Sequence, residues 1–231
     1  MNLQSLSLPE IIAAIGGLGT AAFGLVESLK ALIPGFNRIG LHTIQSIVSS
    51  LTPSVDAQTS SNSMSQEKIL ATVEANWING NDLASQKAIA KSLIKLNLNE
   101  ANARDVAKAT GIDAEVLKAV AQNNVKGESL TAPQSDVYGR FDLIVTALLD
   151  EAYQRSDQHY RNWMRFWAMI IAILLAVAGG IMLHFPGEDW APDIARSLLV
   201  GILATPLAPI AKDLSTALAT AVNTLQLVKK K

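Results

Sequence analysis

The chain reads as an all-α, multi-pass helical membrane protein with three spans, a small four-helix cytoplasmic domain and a long stalk helix continuous with the central span. Three observations predict this class. The first is composition: 17% charged residues, against about a quarter in soluble domains, with 49% hydrophobic residues and a mean hydropathy of +0.25. The second is the run Phe166 to Leu183, eighteen residues without a charge, about 27 Å of helix at 1.5 Å per residue. The third is clustering, because the remaining apolar residues fall into two further stretches that are nearly free of charge and several short amphipathic segments. A net charge of −1 supplies no basic field for polyanions, and the absence of cysteine excludes disulfides, thiol nucleophiles and thiolate metal sites.

Residues 1–35 carry the first span. Ile11 to Val26 is uncharged and rich in Gly and Ala. Gly16, Thr20 and Gly24 recur every four residues on one face, and Ala13, Gly17 and Ala21 on the adjoining face. Such faces let another helix backbone approach closely and predict an oligomerisation stripe. No Lys or Arg precedes the run, so it does not read as a secretory signal. Its modest hydrophobicity also fits a peripheral or re-entrant helix. Glu27 is the acidic residue at the end of this stretch; within a membrane it would line a polar pathway, and at the interface it would reach water.

Residues 36–51 place Leu41, Ile44, Val48 and Leu51 on one face of an amphipathic helix. That face would lie in the membrane interface or pack on the chain's own soluble part. Residues 52–64, rich in Ser, Thr and Asn, read as a flexible linker.

Residues 65–130 predict the cytoplasmic helical domain. A first helix presents Ile69, Leu70, Val73 and Trp77 and ends at Asn79-Gly80. A second runs from about Asp82 to Leu96. Asn97 and Glu100 have capping-box spacing before a third, and Asp113 is placed to cap a fourth holding Val116, Leu117 and Val120. Eight Lys and Arg balance eight Asp and Glu here.

Residues 131–165 predict the stalk, with Phe141, Ile144, Ala147, Leu148 and Ala152 at helical spacing. Residues 166–211 predict a transmembrane hairpin: the central span, the loop HFPGEDWAPD, and a second stretch from Ile194 to Ala211. Trp163 and Trp167 before the central span and Trp190 after it are expected at the two lipid–water boundaries. Pro206 and Pro209 lie inside the last span, each removing a backbone donor and marking a kink or hinge. Residues 212–231 form an amphipathic helix with a basic tail, in which Leu214, Leu218, Ala221, Leu225 and Val228 alternate spacings of four and three, as in a coiled-coil seam.

Charge orients the spans. Arg155, Arg161 and Arg165 precede the central span, Glu188, Asp189 and Asp193 follow it, and Lys212 and the terminal lysines follow the last. Basic flanks stay inside, which expects residues 36–165 and the C-terminus in the cytoplasm and the N-terminus outside.

Two segments match motifs that carry chemistry elsewhere. Gly17-Leu18-Gly19-Thr20-Ala21-Ala22 fits G-x-G-x-x-A, but no Asp or Glu occurs between Glu27 and Asp56 to hold a ribose, so the glycines read as packing residues. In ARDVAKATGIDAEVLKAV, Ala107, Gly111 and Leu117 sit at the spacing of two helices and a tight turn. Over about twenty residues this resembles the helix-turn-helix of repressor-like DNA-binding proteins. That resemblance implies a reading helix beginning at Asp113 and Glu115, whose carboxylates would face phosphates unfavourably; a helical hairpin for packing or protein contact is the reading kept. His42, His159 and His184 have no neighbouring ligand at metal-binding spacing.

With no nucleophile–base pair, no cofactor motif and no metal cluster in the sequence, the expected function is a non-catalytic, oligomerising membrane anchor or scaffold. Its expected partners are membrane lipid, further copies of itself and a cytoplasmic protein, not nucleic acid. The competing reading is a subunit of an oligomeric pore or ion channel, with Glu27 attracting cations and the proline-kinked span gating.

Overall fold

The computed structural model describes residues 8–33, 35–54, 64–183 and 190–229, and these hold helices and no strand. In chain order the helices are α1 (Leu8–Leu32), α2 (Leu41–Leu51), α3 (Gln66–Ile78), α4 (Leu83–Asn97), α5 (Ala103–Thr110), α6 (Ala114–Lys126), α7 (Ala132–Leu183) and α8 (Trp190–Lys229). A 3₁₀ turn at Phe36–Arg38 precedes α2. The chain divides into two compact units, one formed by Gly35–Tyr160 and one by Met1–Pro34 with Arg161–Lys231.

The Gly35–Tyr160 unit is delimited locally by caps. Ser65, Asp82 and Asp113 are the N-caps of α3, α4 and α6, each accepting a hydrogen bond from the third backbone N–H onward. Gly111 and Gly127 end α5 and α6 in the left-handed conformation, φ +69° and +71°. The junction between α4 and α5 differs from the sequence expectation. Instead of a capping box between Asn97 and Glu100, Asn97 closes α4 and donates to the Met64 carbonyl at 2.8 Å. Asn102, the residue flanking α5, donates to the Asn97 carbonyl and side-chain oxygen at 2.8 and 3.0 Å. Asn99 accepts from the backbone N–H groups of Ala101 and Asn102. Three amides therefore build a corner tighter than a single reciprocal cap.

The core of this unit is larger than four helices. Leu41, Ile44, Val48 and Leu51 of α2 are all buried in it with Ile69, Val73, Ile94, Val106 and Leu117. Of the two placements open to the amphipathic segment 36–51, the structure shows packing on the rest of the Gly35–Tyr160 unit, with the α-helix beginning at Leu41. Residues 132–160, expected as stalk, supply a core face of their own. Phe141, Val145, Leu149 and Tyr153, spaced by four, are buried among α2–α6 residues, whereas Ala147 is exposed and Ile144 and Leu148 are half-buried. The buried stripe is thus displaced by one residue from the expected one at most positions. Gly40, at φ +87°, lets α2 start against α7: a Cβ there would lie 2.6 Å from the Ser156 carbonyl oxygen.

In the other unit, three helices are long and apolar enough to cross a membrane: α1 over Glu10–Leu29, α7 within Ala132–Met182, and α8 over Trp190–Ile210. α8 does not stop at Ala211; its backbone continues as helix to Lys229, so the last span and the expected C-terminal helix are one element. The side chains of Leu214, Leu218, Ala221, Leu225 and Val228 lie outside the described residues.

Candidate functional site

Two places concentrate the residues singled out by sequence. The first is the contact among the three long apolar helices. Helices held in lipid gain from backbone proximity more than from burying apolar side chains, because lipid tails are as apolar as leucine. Ala22 of α1, Ala172 of α7 and Ala204 of α8 form the buried centre, with Ile15, Leu18 and Ile171 packed around them. Three glycines set the approach. A Cβ on Gly19 would overlap the Ala204 carbonyl, one on Gly180 would overlap the Ser197 hydroxyl, and one on Gly201 would lie 2.5 Å from the Ile173 Cα. α8 presents Ser197, Gly201, Ala204 and Ala208 as its buried stripe. Sequence reasoning missed this stripe, although its spacings of four, three and four were readable.

The stripe that sequence did single out lies mostly elsewhere on α1. Gly16 is buried and Ala13 half-buried, but Gly17, Thr20, Ala21 and Gly24 are exposed, and the space beside Gly17 and Gly24 is open. The hydroxyls on this helix are satisfied internally: Thr20 donates to the Gly16 carbonyl at 3.0 Å and Ser28 to the Gly24 carbonyl at 2.9 Å. The exposed face is therefore small and saturated. Glu27 is exposed, one residue beyond the buried Val26. The G-x-G-x-x-A segment sits in the middle of α1, where a phosphate-binding turn would need a strand to end and a helix to begin.

At the start of the central span Trp163, Phe166 and Trp167 pack on one another, with centroid distances of 5.8, 6.5 and 6.0 Å for the 163–166, 163–167 and 166–167 pairs. Trp190 opens α8 and is half exposed. Pro206 and Pro209 lie inside α8, so the carbonyls of Ile202 and Thr205 have no helical N–H to accept from. Next to them the Thr205 hydroxyl is buried without a hydrogen-bond partner.

The second place is the helical pair α5–α6. Val106, Ala107, Leu117 and Val120 are buried, and left-handed Gly111 makes the turn, so the segment is two short helices joined by a tight turn. Its exposed side is not basic. Arg104 is bound to Glu115 at 3.0 Å and Lys118 to Glu100 at 3.0 Å, neutralising the cations beside the first turn of α6. Hydrogen bonds from Gln122 and Lys118 hold the Glu100 carboxyl below its usual range.

A ladder of charges ties α4 to α7. Lys87 reaches Asp150, while Lys91 and Lys95 converge on Asp142 at 2.6 and 3.0 Å. The hydrogen bond from Lys91, helped by Lys95, holds the Asp142 carboxyl below the carboxylate range. Burial opposes charge on Lys95, but the bond to Asp142 and the nearby Tyr138 outweigh it and raise its pKa. Tyr153 lies beneath, its phenol buried and pushed up to about 12 by desolvation. His42 and His159 are exposed, and His184 lies outside the described residues. Among the described residues no three His, Asp or Glu side chains gather as a metal-binding group.

No protein-family model matches the chain, and no curated protein or solved structure matches it significantly.

Proposed function

We propose that the chain is a non-catalytic integral-membrane anchor that assembles with further copies of itself and docks a cytoplasmic protein through its Gly35–Tyr160 unit. The observation that carries this reading is the two-sidedness of α1. One small-residue side, Gly19 and Ala22, is consumed within the chain's own bundle, and another, Gly17, Ala21 and Gly24, remains open. A helix that needed small residues only for its own bundle would carry larger, more lipid-soluble side chains on the open side. The basic flank of the central span favours the Gly35–Tyr160 unit on the cytoplasmic side. The neutral charge of residues 65–130 and the acidic start of α6 favour a protein over nucleic acid as partner.

The test is the mass of the full chain in nanodiscs for the wild type, Gly17→Leu/Gly24→Leu and Lys108→Glu/Lys126→Glu, the last reversing the charge of two exposed lysines in the last turns of α5 and α6. An oligomer that dissociates in the glycine variant with helicity unchanged supports assembly through α1; a monomeric wild type overturns it. A soluble protein held stoichiometrically by the wild type and released by the lysine variant supports docking. A closed ring with ion flux abolished by Glu27→Gln would replace the anchor with a pore.

A further inference from the structure

We infer that, within the membrane-anchor reading on which this rests, copies assemble head to tail, the open side of α1 in one copy covering the proline face of α8 in the next. Pro206 and Pro209 leave the carbonyls of Ile202 and Thr205 without helical N–H donors. In hydrocarbon an open carbonyl is costly, and a spanning helix tolerates proline where Ser or Thr side chains, water or a neighbouring helix close the gap. The Thr205 hydroxyl, three residues beyond Ile202, does not close it, since that hydroxyl has no hydrogen-bond partner. Turning it toward Ile202 would serve one carbonyl and leave the other open.

Within one chain the two helices point these features away from each other. Ala204 of α8 faces Gly19 of α1. At 100° per residue Ile202, Pro206 and Pro209 stand about 140–160° around α8 from Ala204; Ile202 is 48% exposed and both prolines are exposed. By the same count Ala14, Gly17, Ala21 and Gly24 stand about 140–160° around α1 from Gly19. All four are exposed, and the space beside the two glycines is open. The α1–α8 pair therefore has two unlike outer sides, one of small residues and one of prolines, and neither reaches the other within the chain.

Depth matches as well. Gly19 lies against Ala204 and Ala208, and Gly17 and Ala21 are each about 3 Å from it along the axis, at the level of the α8 segment that holds the open carbonyls. Copies in one bilayer share depth and orientation, so rotation about the bilayer normal brings the small side of one to the proline side of the next. Glycine and alanine admit close backbone approach, and Cα–H groups donate weakly to carbonyl oxygens across helix–helix contacts. A symmetric α1–α1 contact would cover the glycines and leave the carbonyls facing lipid. The head-to-tail contact covers both, and it repeats into a ring where the rotation closes.

The chain has no cysteine, so single cysteines report the contact. Three successive spans make α1 and α8 parallel, which brings Ala14, five residues before Gly19, close to the level of Ile202. Full-length chains carrying Ala14→Cys are reconstituted in vesicles together with chains carrying Ile202→Cys and oxidised with copper phenanthroline. Disulfide-linked pairs of the two kinds of chain, and a covalent ladder from the double variant, support the head-to-tail contact. Ala14→Cys chains linked to one another without mixed pairs, or no link in an oligomeric wild-type background, overturn it and leave self-assembly standing. A wild type that is monomeric by mass overturns the assembly reading itself. Pro206→Ala/Pro209→Ala returns both N–H donors within α8 and should weaken self-association roughly three- to tenfold; unchanged association overturns the part given to the carbonyls.

Discussion

Gly19 of α1 lies directly against the backbone carbonyl of Ala204 in α8, with no room for a Cβ between the two helices. Ala208 closes the same contact from the next turn, 3.1 Å from the position a Cβ would take. Both obstacles are fixed, one backbone and the other the stub of an alanine, so neither moves aside as the tip of a long side chain does. Gly19→Ala should destabilise the bundle by about 1–3 kcal/mol, the usual cost of overpacking. Within a single chain Gly17→Ala and Gly24→Ala meet open space, so its own bundle should be unaffected or gain up to about 1 kcal/mol in helix propensity, any cost falling on the assembly of copies instead. Thermal unfolding in detergent reads the difference, and a Gly19→Ala protein as stable as the wild type contradicts the contact.

Asp142 gives the Gly35–Tyr160 unit an acid-sensitive joint. Its carboxyl is held below its ordinary value of 3.8 by Lys91 and Lys95. A carboxylate depressed in the folded state adds stability above its unfolded pKa and loses it as pH falls through the folded one. Stability should therefore drop below about pH 4, and Asp142→Asn should flatten that acid limb while costing about 1 kcal/mol at neutral pH. Denaturant midpoints from pH 3 to 7 for the two proteins provide the comparison.

Tyr153 makes the reciprocal prediction in alkali. Burial raises its phenol from 10.0 to about 12, so the unfolded chain releases the proton first. Stability is intact below pH 10 and declines as pH rises toward about 12. Tyr153→Phe should remove this dependence, and ultraviolet titration of the wild type should show one tyrosine ionising after the others.

The turn between α5 and α6 depends on one residue. Gly111 sits at φ +69° with nothing crowding its side-chain position, so replacement by alanine isolates backbone strain from steric clash. Gly111→Ala should cost about 1–2 kcal/mol, and Asp113→Ala, which removes the 2.9 Å bond from the Val116 N–H, about 1 kcal/mol. Chemical denaturation of the full chain measures both; unchanged midpoints would mean the hairpin is held by its apolar contacts alone.

Helix limits were largely legible wherever a cap or breaker stood in the sequence: Asn79-Gly80 after α3, Asp82 before α4, Gly111 and Asp113 between α5 and α6. The face of α2 was legible too, since Leu41, Ile44, Val48 and Leu51 combine helical spacing with strong hydrophobicity and polar residues fill most of the remaining positions. The face of α7 was not. Ile144, Val145, Ala147, Leu148 and Leu149 are all apolar, so periodicity offers overlapping stripes, and contact with α2–α6 selects Val145 and Leu149. The Asn97–Asn99–Asn102 corner escaped for a related reason: three amides close in sequence admit several hydrogen-bond patterns, and the backbone path selects one.

The sequence by itself determined that this protein is helical, that three of its helices are long and apolar enough to cross a membrane, and where most helices begin and end. Those properties depend on hydropathy and on hydrogen bonds closed within one or two turns, and they need no distant partner. Only the tertiary structure decided which glycines bring backbones together. α1 offers small residues at Gly16, Gly17, Gly19, Thr20, Ala21, Ala22 and Gly24, nearly all the way round. Gly19 and Ala22 became the contact face because Ala204 and Ala208 of α8, almost two hundred residues away in the chain, meet them there.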